Sequence, residues 1–207
     1  MKPLVLLAAL LSVTACAAMP NNGAVPFTPS DDWRRVATGS DRERLRDWRT
    51  AFVKGLGQAR QAGHSAEIAA EGSLLDPDAG IGPAPIPNGR YRCRVIKVGA
   101  KTEGMLDYIA YPAFECRIQQ EKDLQSLFKL SGSQRHVGLL FAADSMRQIF
   151  LGTLVLGNEQ RAMQYGHDPD RDLAGWIERI GDRRWRLLLP YPKYESTIDV
   201  VELTPAD

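Results

Sequence analysis

Apolar residues recur at helical spacing between residues 40 and 75. One apolar stripe has members three or four positions apart: Leu45, Trp48, Phe52, Leu56 and Ala59. This spacing predicts an amphipathic helix, and Ser40 and Glu43 have the spacing of a capping box at its start. A second short helix is predicted from a Ser65 cap through Glu71, ending at Gly72.

After a segment rich in Pro and Gly, residues 76–89, the pattern changes to short strand-like runs separated by turn residues. The candidate strands are 90–98, 106–118 (broken near Pro112), 125–130, 136–141, 148–156, 174–180, 184–189 and 198–203. Gly181-Asp182 between two such runs is typical of a β-hairpin. The pattern predicts an α+β fold that is mainly β. Short N-terminal helices would pack on an antiparallel β-barrel, or a barrel-like sheet, of about eight strands.

The amino terminus has the pattern of an export signal. An apolar run at 4–11 follows Lys2, and it is too short to span the ~30 Å of bilayer hydrocarbon. The sequence that follows, Val13-Thr14-Ala15-Cys16, resembles the lipobox of bacterial lipoproteins. This resemblance implies that residues 1–15 are removed as a signal peptide and that Cys16 carries lipid. The alternative is an ordinary secretory signal cleaved after Ala15 or Ala18.

Lipid on Cys16 would anchor the chain to a membrane, because several acyl chains on one residue give stable anchoring. By resemblance to lipoproteins of Gram-negative bacteria, Ala17 instead of Asp implies the outer membrane, with the protein facing the periplasm. Residues 16–30 combine the lipidated Cys with an uncharged segment rich in Pro and Asn, which predicts a flexible tether. We expect one globular domain at 31–207, with a helical part at 31–75 and a β part at 89–204.

Charge gives no indication of a nucleic-acid partner. The chain has 26 Lys and Arg and 25 Asp and Glu, and removal of the signal peptide takes away one Lys, which leaves a balanced mature chain. If Cys16 is acylated, Cys93 and Cys116 remain as a pair. In an oxidising periplasm we expect them to form a disulfide. The alternatives are two buried free thiols or a metal-binding pair, although no Cys-x-x-Cys motif is present.

Motifs for catalysis, cofactors or metal binding are weak in this sequence. The segment 168–172 resembles the start of a calcium loop, but Leu173 and Arg179 stand where that loop needs Gly and Glu. Ser131-Gly132-Ser133 lacks the frame of a nucleophile elbow. We therefore assign no catalytic residue, cofactor or metal ligand. An enzyme of unassigned class remains an alternative to a binding or structural module.

Cationic residues inside the strand-like runs give one candidate site. Arg92 and Arg94 share one face of the first predicted strand, and Tyr91, Cys93 and Val95 share the other. The simple interpretation is a solvated outer face. The alternative hypothesis is that the cations Arg92, Arg94, Lys129 and Arg135 converge on an anionic small molecule.

Residues 33–205 resemble the bacterial family known as domain of unknown function 4893. The resemblance rests on six motifs: Tyr91-Arg92-Cys93-Arg94-Val95-Ile96-Lys97, Tyr108-Ile109-Ala110-Tyr111-Pro112, Phe114-Glu115-Cys116-Arg117, Lys129-Leu130-Ser131-Gly132-Ser133-Gln134-Arg135, Phe150-Leu151-Gly152-Thr153 and Arg184-Trp185-Arg186. Membership of this family implies no activity.

Two shorter motifs are similar to a second group, the small periplasmic lipoproteins that inhibit c-type lysozyme. These inhibitors are antiparallel barrels with a Tyr-x-Cys opening and a Ser-Gly turn, as in Tyr91-x-Cys93 and Ser131-Gly132. The chain departs from them because Gln134-Arg135 stands where a Tyr is expected. The sequence therefore leaves three classes open: a non-catalytic binding or structural envelope protein, an enzyme, and an inhibitor of a secreted hydrolase. A partner would be an anionic small molecule or an envelope protein.

Overall fold

The computed structural model describes residues 31–82 and 85–206, so Cys16 and the proposed signal and tether lie outside the described residues. The helical part contains four α-helices and one 3-10 helix: α1 Trp33–Val36, α2 Gly39–Arg46, α3 Trp48–Gln61, α4 Ser65–Glu71 and the 3-10 helix Gly72–Leu75. Helix α1 was not predicted from the sequence. Helix α4 ends at Glu71 as predicted, but Ser65 is its first residue and not its cap, which is His64.

The single helix predicted from residue 40 is in fact two helices. The chain leaves regular helical geometry at Asp47, between α2 and α3. The N-terminal cap of α2 is Thr38 and not Ser40, because the Thr38 hydroxyl accepts a hydrogen bond from the Asp41 backbone N–H at 3.2 Å. Ser40 lies inside the first turn, where its hydroxyl contacts that of Thr38.

Nine strands follow the helices. Their bounds are β1 Gly89–Ala100, β2 Tyr108–Ala110, β3 Phe114–Glu121, β4 Leu124–Lys129, β5 Gln134–Ala142, β6 Arg147–Leu156, β7 Asp172–Gly181, β8 Arg184–Pro190 and β9 Ser196–Pro205. The run predicted at 106–118 is divided into β2 and β3 around Pro112, because proline has no N–H to donate to a sheet.

The strands form a closed antiparallel barrel. From β3 to β9 each strand pairs with the next, and β9 pairs with β1 along most of its length. The other edge of β1 is shared: its first half pairs with β3, and its second half pairs with the short strand β2. The result is an eight-stranded barrel with β2 as an additional strand, which confirms the predicted fold class.

Alternation along each strand determines which side chains face the interior. In β1, Tyr91, Cys93 and Val95 are buried in the interior core, whereas Arg92 and Arg94 lie on the outer surface. Alternating strand residues point to opposite faces, so this pattern extends along every strand. Leu187, Val201 and their neighbours complete the interior core.

A pair of glycines makes room for an aromatic ring inside the barrel. Gly138 on β5 lies opposite Gly152 on β6. A Cβ atom on Gly138 would lie only 2.4 Å from the Leu151 carbonyl oxygen and 2.6 Å from the Phe150 ring. The buried Phe150 ring occupies this space, which requires both positions to be glycine.

One end of the barrel is closed by the segment that precedes β1. Ile86 is 1% exposed and packs into the interior core. Its backbone N–H donates to the Gln148 side chain at 3.2 Å, and its carbonyl oxygen accepts from the Gln125 side chain at 2.9 Å. The two glutamines therefore satisfy the backbone polar groups of the residue that fills this end.

The helices cover the outer surface of β1, β8 and β9. Helix α3 packs Phe52 and Leu56 against outward-facing residues such as Val98 and Ile198. Gly55 permits the close approach, because a Cβ there would lie 2.8 Å from the Val98 carbonyl oxygen.

Arg186 on β8 connects the helical part to the barrel. Its side chain is 0% exposed, and its Nε donates to Glu178 Oε1 at 2.8 Å. Its Nη1 donates to the carbonyls of Ser73, Leu74 and Asp76 at 3.0, 2.9 and 2.7 Å. These three carbonyls lie at the end of the helical part, so one guanidinium satisfies polar groups of both layers.

Candidate ligand-binding site

The end of the barrel opposite Ile86 contains a cavity of about 350 Å³. It lies where inward-facing positions of β1, β3, β4, β5 and β9 reach the ends of their strands. The lining residues are Val95, Lys97, Tyr111, Pro112, Phe114, Lys129, Ser131, Gly132, Ser133, Gln134, His136, Glu195 and Asp199. The core below the cavity is apolar, whereas this outermost inward-facing layer is mostly polar.

A buried ion pair forms one wall. Lys97 and Asp199 are opposite residues of β1 and β9, and Lys97 Nζ lies 3.0 Å from Asp199 Oδ2. Glu195 is a second partner at 3.2 Å, and the Ser196 hydroxyl donates to Asp199. Burial opposes the charged form of Lys97, but the two carboxylates outweigh it and raise the pKa of the ammonium. The two carboxylates therefore hold the Lys97 ammonium within the wall.

The same wall includes a strained backbone residue. Glu195 has φ +71°, in the left-handed region that non-glycine residues rarely adopt. Its carbonyl accepts from the Lys101 N–H at 2.9 Å, and the Lys101 ammonium donates to the carbonyls of Pro192 and Lys193 at 2.6 and 2.9 Å. Such strain costs on the order of 1–3 kcal/mol and persists where neighbouring contacts fix the conformation.

His136 faces the cavity from β5 and is 5% exposed. Among the described residues, none makes a hydrogen bond to its imidazole. Burial, together with the nearby ammonium groups of Lys129 and Lys97, lowers the pKa of His136 to about 3. At neutral pH the ring is uncharged, so it has one N–H donor and one acceptor nitrogen.

Lys129 extends from the end of β4 over the face of Phe114, with Nζ 4.3 Å from the ring centroid. The position that a Cβ of Gly132 would take is 3.5 Å from the same Nζ. Within 31–82 and 85–206, no carboxylate lies at ion-pair distance from this ammonium. Burial lowers the pKa of Lys129, and Lys97 adds to this effect.

The four cations proposed from the sequence do not share one site. Arg94 lies on the outer surface, where it contacts Glu71 at 2.8 Å and Glu202 at 3.1 Å. Arg92 is exposed on the same outer surface. These two are separated by the barrel wall from Lys129, which faces the cavity.

Arg135 lies at the start of β5, next to the turn that borders the cavity. Its guanidinium donates to the carbonyls of Gly132, Gly157 and Glu159 at 2.9, 2.6 and 2.7 Å. Its position shapes the loop beside Lys129, but its donors are engaged by backbone. Of the four predicted cations, Lys129 alone lines the cavity.

Cys93 and Cys116 lie in the interior core on the paired strands β1 and β3. Their Cα atoms are 5.9 Å apart, which is a disulfide distance.

Across 31–82 and 85–206, no cluster of three or more His, Cys, Asp or Glu is arranged to hold a metal ion. In the same part of the chain, no helix has the length and apolar character needed to cross a membrane.

These features define a small antiparallel β-barrel protein with a polar cavity at one end and an apolar seal at the other. Residues 33–203 match the family described as Domain of unknown function (DUF4893), and the chain belongs to that family, which confirms the resemblance seen in the sequence. No curated protein and no solved structure matches the chain.

Proposed function

We propose that this chain is an envelope lipoprotein that binds a small anionic molecule in the barrel cavity and performs no catalysis. Lipid on Cys16 would anchor it, in the outer membrane facing the periplasm. The lipobox-like sequence at 13–16 supports the anchor, and the neutral mature charge is consistent with a tethered domain that does not grip a membrane by charge.

The observation that carries the binding proposal is the pair His136 and Lys129. His136 is 5% exposed, and burying a polar group without a partner costs roughly 1–3 kcal/mol, whereas the Lys129 ammonium is partly exposed at the same cavity. A fold retains such groups most readily where a ligand or ordered water completes their hydrogen bonds. The cavity volume of about 350 Å³ lies within the range of small-molecule sites.

The geometry favours binding over catalysis. A general base needs a second group that holds it in position. Within the described part of the chain, His136 has no such partner, and Lys97 is held by two carboxylates at 3.0 and 3.2 Å. The charged groups thus stabilise the wall and leave His136 and Lys129 for a ligand.

A thermal-shift screen of small anionic molecules tests the proposal on the full chain in detergent. A ligand at about 100 times its Kd adds about 2.7 kcal/mol of stability, which is about 5–10 °C in Tm for a domain of this size. Ser133→Trp, at the cavity, should abolish the shift. The control Arg92→Trp, on the outer wall, should preserve it. A shift that survives Ser133→Trp would contradict a cavity site.

The anchor is tested separately by mass spectrometry of the mature amino terminus. We expect a diacylglyceryl-modified Cys16 in the wild type and release from the membrane fraction in Cys16→Ser. A mature chain that begins at Ala17 or beyond would refute the lipid anchor.

Inhibition of a secreted hydrolase is a second candidate, favoured by the position of the Ser131-Gly132-Ser133 turn. All three residues are exposed at the cavity rim, and Arg135 fixes the turn through the Gly132 carbonyl at 2.9 Å. A rigid protruding loop suits insertion into an active site. Stoichiometric inhibition of c-type lysozyme, lost in Gly132→Trp, would support this candidate, and full lysozyme activity at excess protein would exclude it.

A further inference from the structure

The charges around the cavity are almost entirely paired. Lys97 is shared between Asp199 and Glu195, at 3.0 and 3.2 Å. Lys129 adds one more positive charge. It lies close enough to His136 to lower the pKa of that imidazole, and Lys97 in turn contributes to lowering the pKa of Lys129. The two ammonium groups and the two carboxylates balance in sum. A ligand therefore meets one ammonium with no carboxylate at ion-pair distance among the described residues, beside two carboxylates that share the other ammonium.

This arrangement favours a single negative charge. A monoanion would compensate Lys129 and leave the Lys97 pair intact. A dianion, such as a phosphate monoester, would place its second charge near Asp199 and Glu195, and like charges in a partly desolvated site repel strongly. His136 contributes a neutral N–H donor, which matches the second oxygen of a carboxylate.

The remaining surface of the cavity is suited to a flat apolar group. Phe114 lines the cavity, and the Lys129 ammonium lies over one face of its ring. Tyr111, which is 38% exposed, and Pro112 form the rim above it. Aromatic rings in offset or edge contact add about 0.5–1.5 kcal/mol beyond the area they bury.

We infer that the cavity binds a small monocarboxylic acid, with the carboxylate held by Lys129 and His136 and an aromatic or other flat apolar group packed against Phe114 and Tyr111. This inference rests on the proposed function and adds the class of ligand. The acid is a free small molecule, because a volume of about 350 Å³ lies within the range of small-molecule sites.

Isothermal titration calorimetry on the detergent-purified full chain tests the inference with three probes of matched shape. These are 3-phenylpropanoate, the neutral 3-phenylpropanamide and the dianionic 2-phenylethyl phosphate. We expect the carboxylate to bind at least tenfold more tightly than either analogue. Lys129→Gln should remove this preference by weakening the carboxylate at least tenfold while leaving the amide unchanged. The outer-wall control Arg92→Gln should change neither.

The outcomes separate the two proposals. If the amide or the phosphate binds as well as the carboxylate, or if Lys129→Gln leaves the preference intact, the inference about monocarboxylates is wrong. The cavity would still be a binding site, provided that Ser133→Trp abolishes binding of the preferred probe. If Ser133→Trp changes nothing, the proposed function fails as well. If none of the probes binds at millimolar concentration, the monocarboxylate inference is overturned, and the thermal-shift screen decides the proposed function alone.

Discussion

Acid should destabilise this protein through His136, and the substitution His136→Gln should remove that effect. The imidazole is buried with Lys129 and Lys97 nearby, and burial followed by these charges lowers its pKa from 6.5 to about 3. The folded protein therefore binds fewer protons at this residue than the unfolded chain does. The contribution of His136 to the unfolding free energy is lost as the pH falls below 6.5, the pKa in the unfolded chain. The loss continues down to about pH 3, the pKa in the folded protein.

The magnitude follows from proton linkage. At pH 5 the unfolded imidazole is almost fully protonated and the folded one is almost fully neutral. The difference destabilises the fold by about 2 kcal/mol relative to pH 7. This free-energy difference depends little on the pKa of His136 in the folded protein, because any value below ~4 leaves the buried ring neutral at pH 5.

Urea unfolding of the non-acylated Cys16→Ser chain at pH 7 and pH 5, followed by tryptophan fluorescence, measures this effect. Trp185 lies in the interior core and reports on barrel opening. The loss of unfolding free energy between the two pH values should be about 2 kcal/mol smaller in the chain that also carries His136→Gln. His64 and His167 are retained in both chains, so the comparison isolates the substitution at His136. Equal losses in the two chains would refute the assignment of His136 as a buried neutral group.

Three further predictions concern the barrel and its connections. Arg186→Met should lower the unfolding free energy by about 3–5 kcal/mol, because it removes the guanidinium that pairs with the buried Glu178 carboxylate and donates to three backbone carbonyls. A loss below about 1 kcal/mol in urea unfolding would contradict this role. Gly138→Ala should cost about 1–3 kcal/mol by overpacking, whereas the control Gly57→Ala, which meets open space on α3, should stabilise by up to about 1 kcal/mol. Thermal melts that rank these two variants in the opposite order would argue against the packing account. Reduction of the Cys93–Cys116 disulfide, which closes a sequence separation of 23, should lower the unfolding free energy by about 3 kcal/mol. An unchanged urea midpoint after reduction, with free thiols verified by alkylation, would exclude a stabilising role.

The barrel was predictable because its strands are amphipathic and punctuated by turn residues. Alternation placed Cys93 inside and Arg94 outside, as the structure has them. Helix boundaries were harder to predict. The apolar stripe continues past Asp47, although the helical conformation of the backbone is interrupted at that residue. A stripe records which residues are buried, and two helices at an angle can share one buried surface.

The site was only partly predictable. Lys97 has the same parity in β1 as Cys93 and Val95, and Asp199 has the parity of Val201 in β9, so both were identifiable as inward-facing. The sequence could not show that they pair, because 102 residues separate them and barrel closure alone brings β9 beside β1. The predicted convergence of the four cations was wrong for a related reason. The four were grouped by charge alone, although Arg92 and Arg94 lie on the outer surface of the barrel and Lys129 faces the cavity.

Arg186 shows a different limit of sequence analysis. Arg186 precedes Leu187, which faces the interior, so alternation along β8 places Arg186 on the outer face. That position suggests solvent exposure. The helical part covers that face, so the residue is 0% exposed. Besides Glu178, its partners are three backbone carbonyls. Every residue has a backbone carbonyl, so no sequence pattern identifies these three.

The closure of one barrel end by Ile86 determines the side from which molecules can enter the cavity. With Gln125 and Gln148 holding that residue in place, molecules reach the cavity only from the side of Tyr111 and Ser131, among the residues that the structure describes. Arrival and departure then share one route. A ligand bound as proposed would therefore leave the barrel on the side from which it entered.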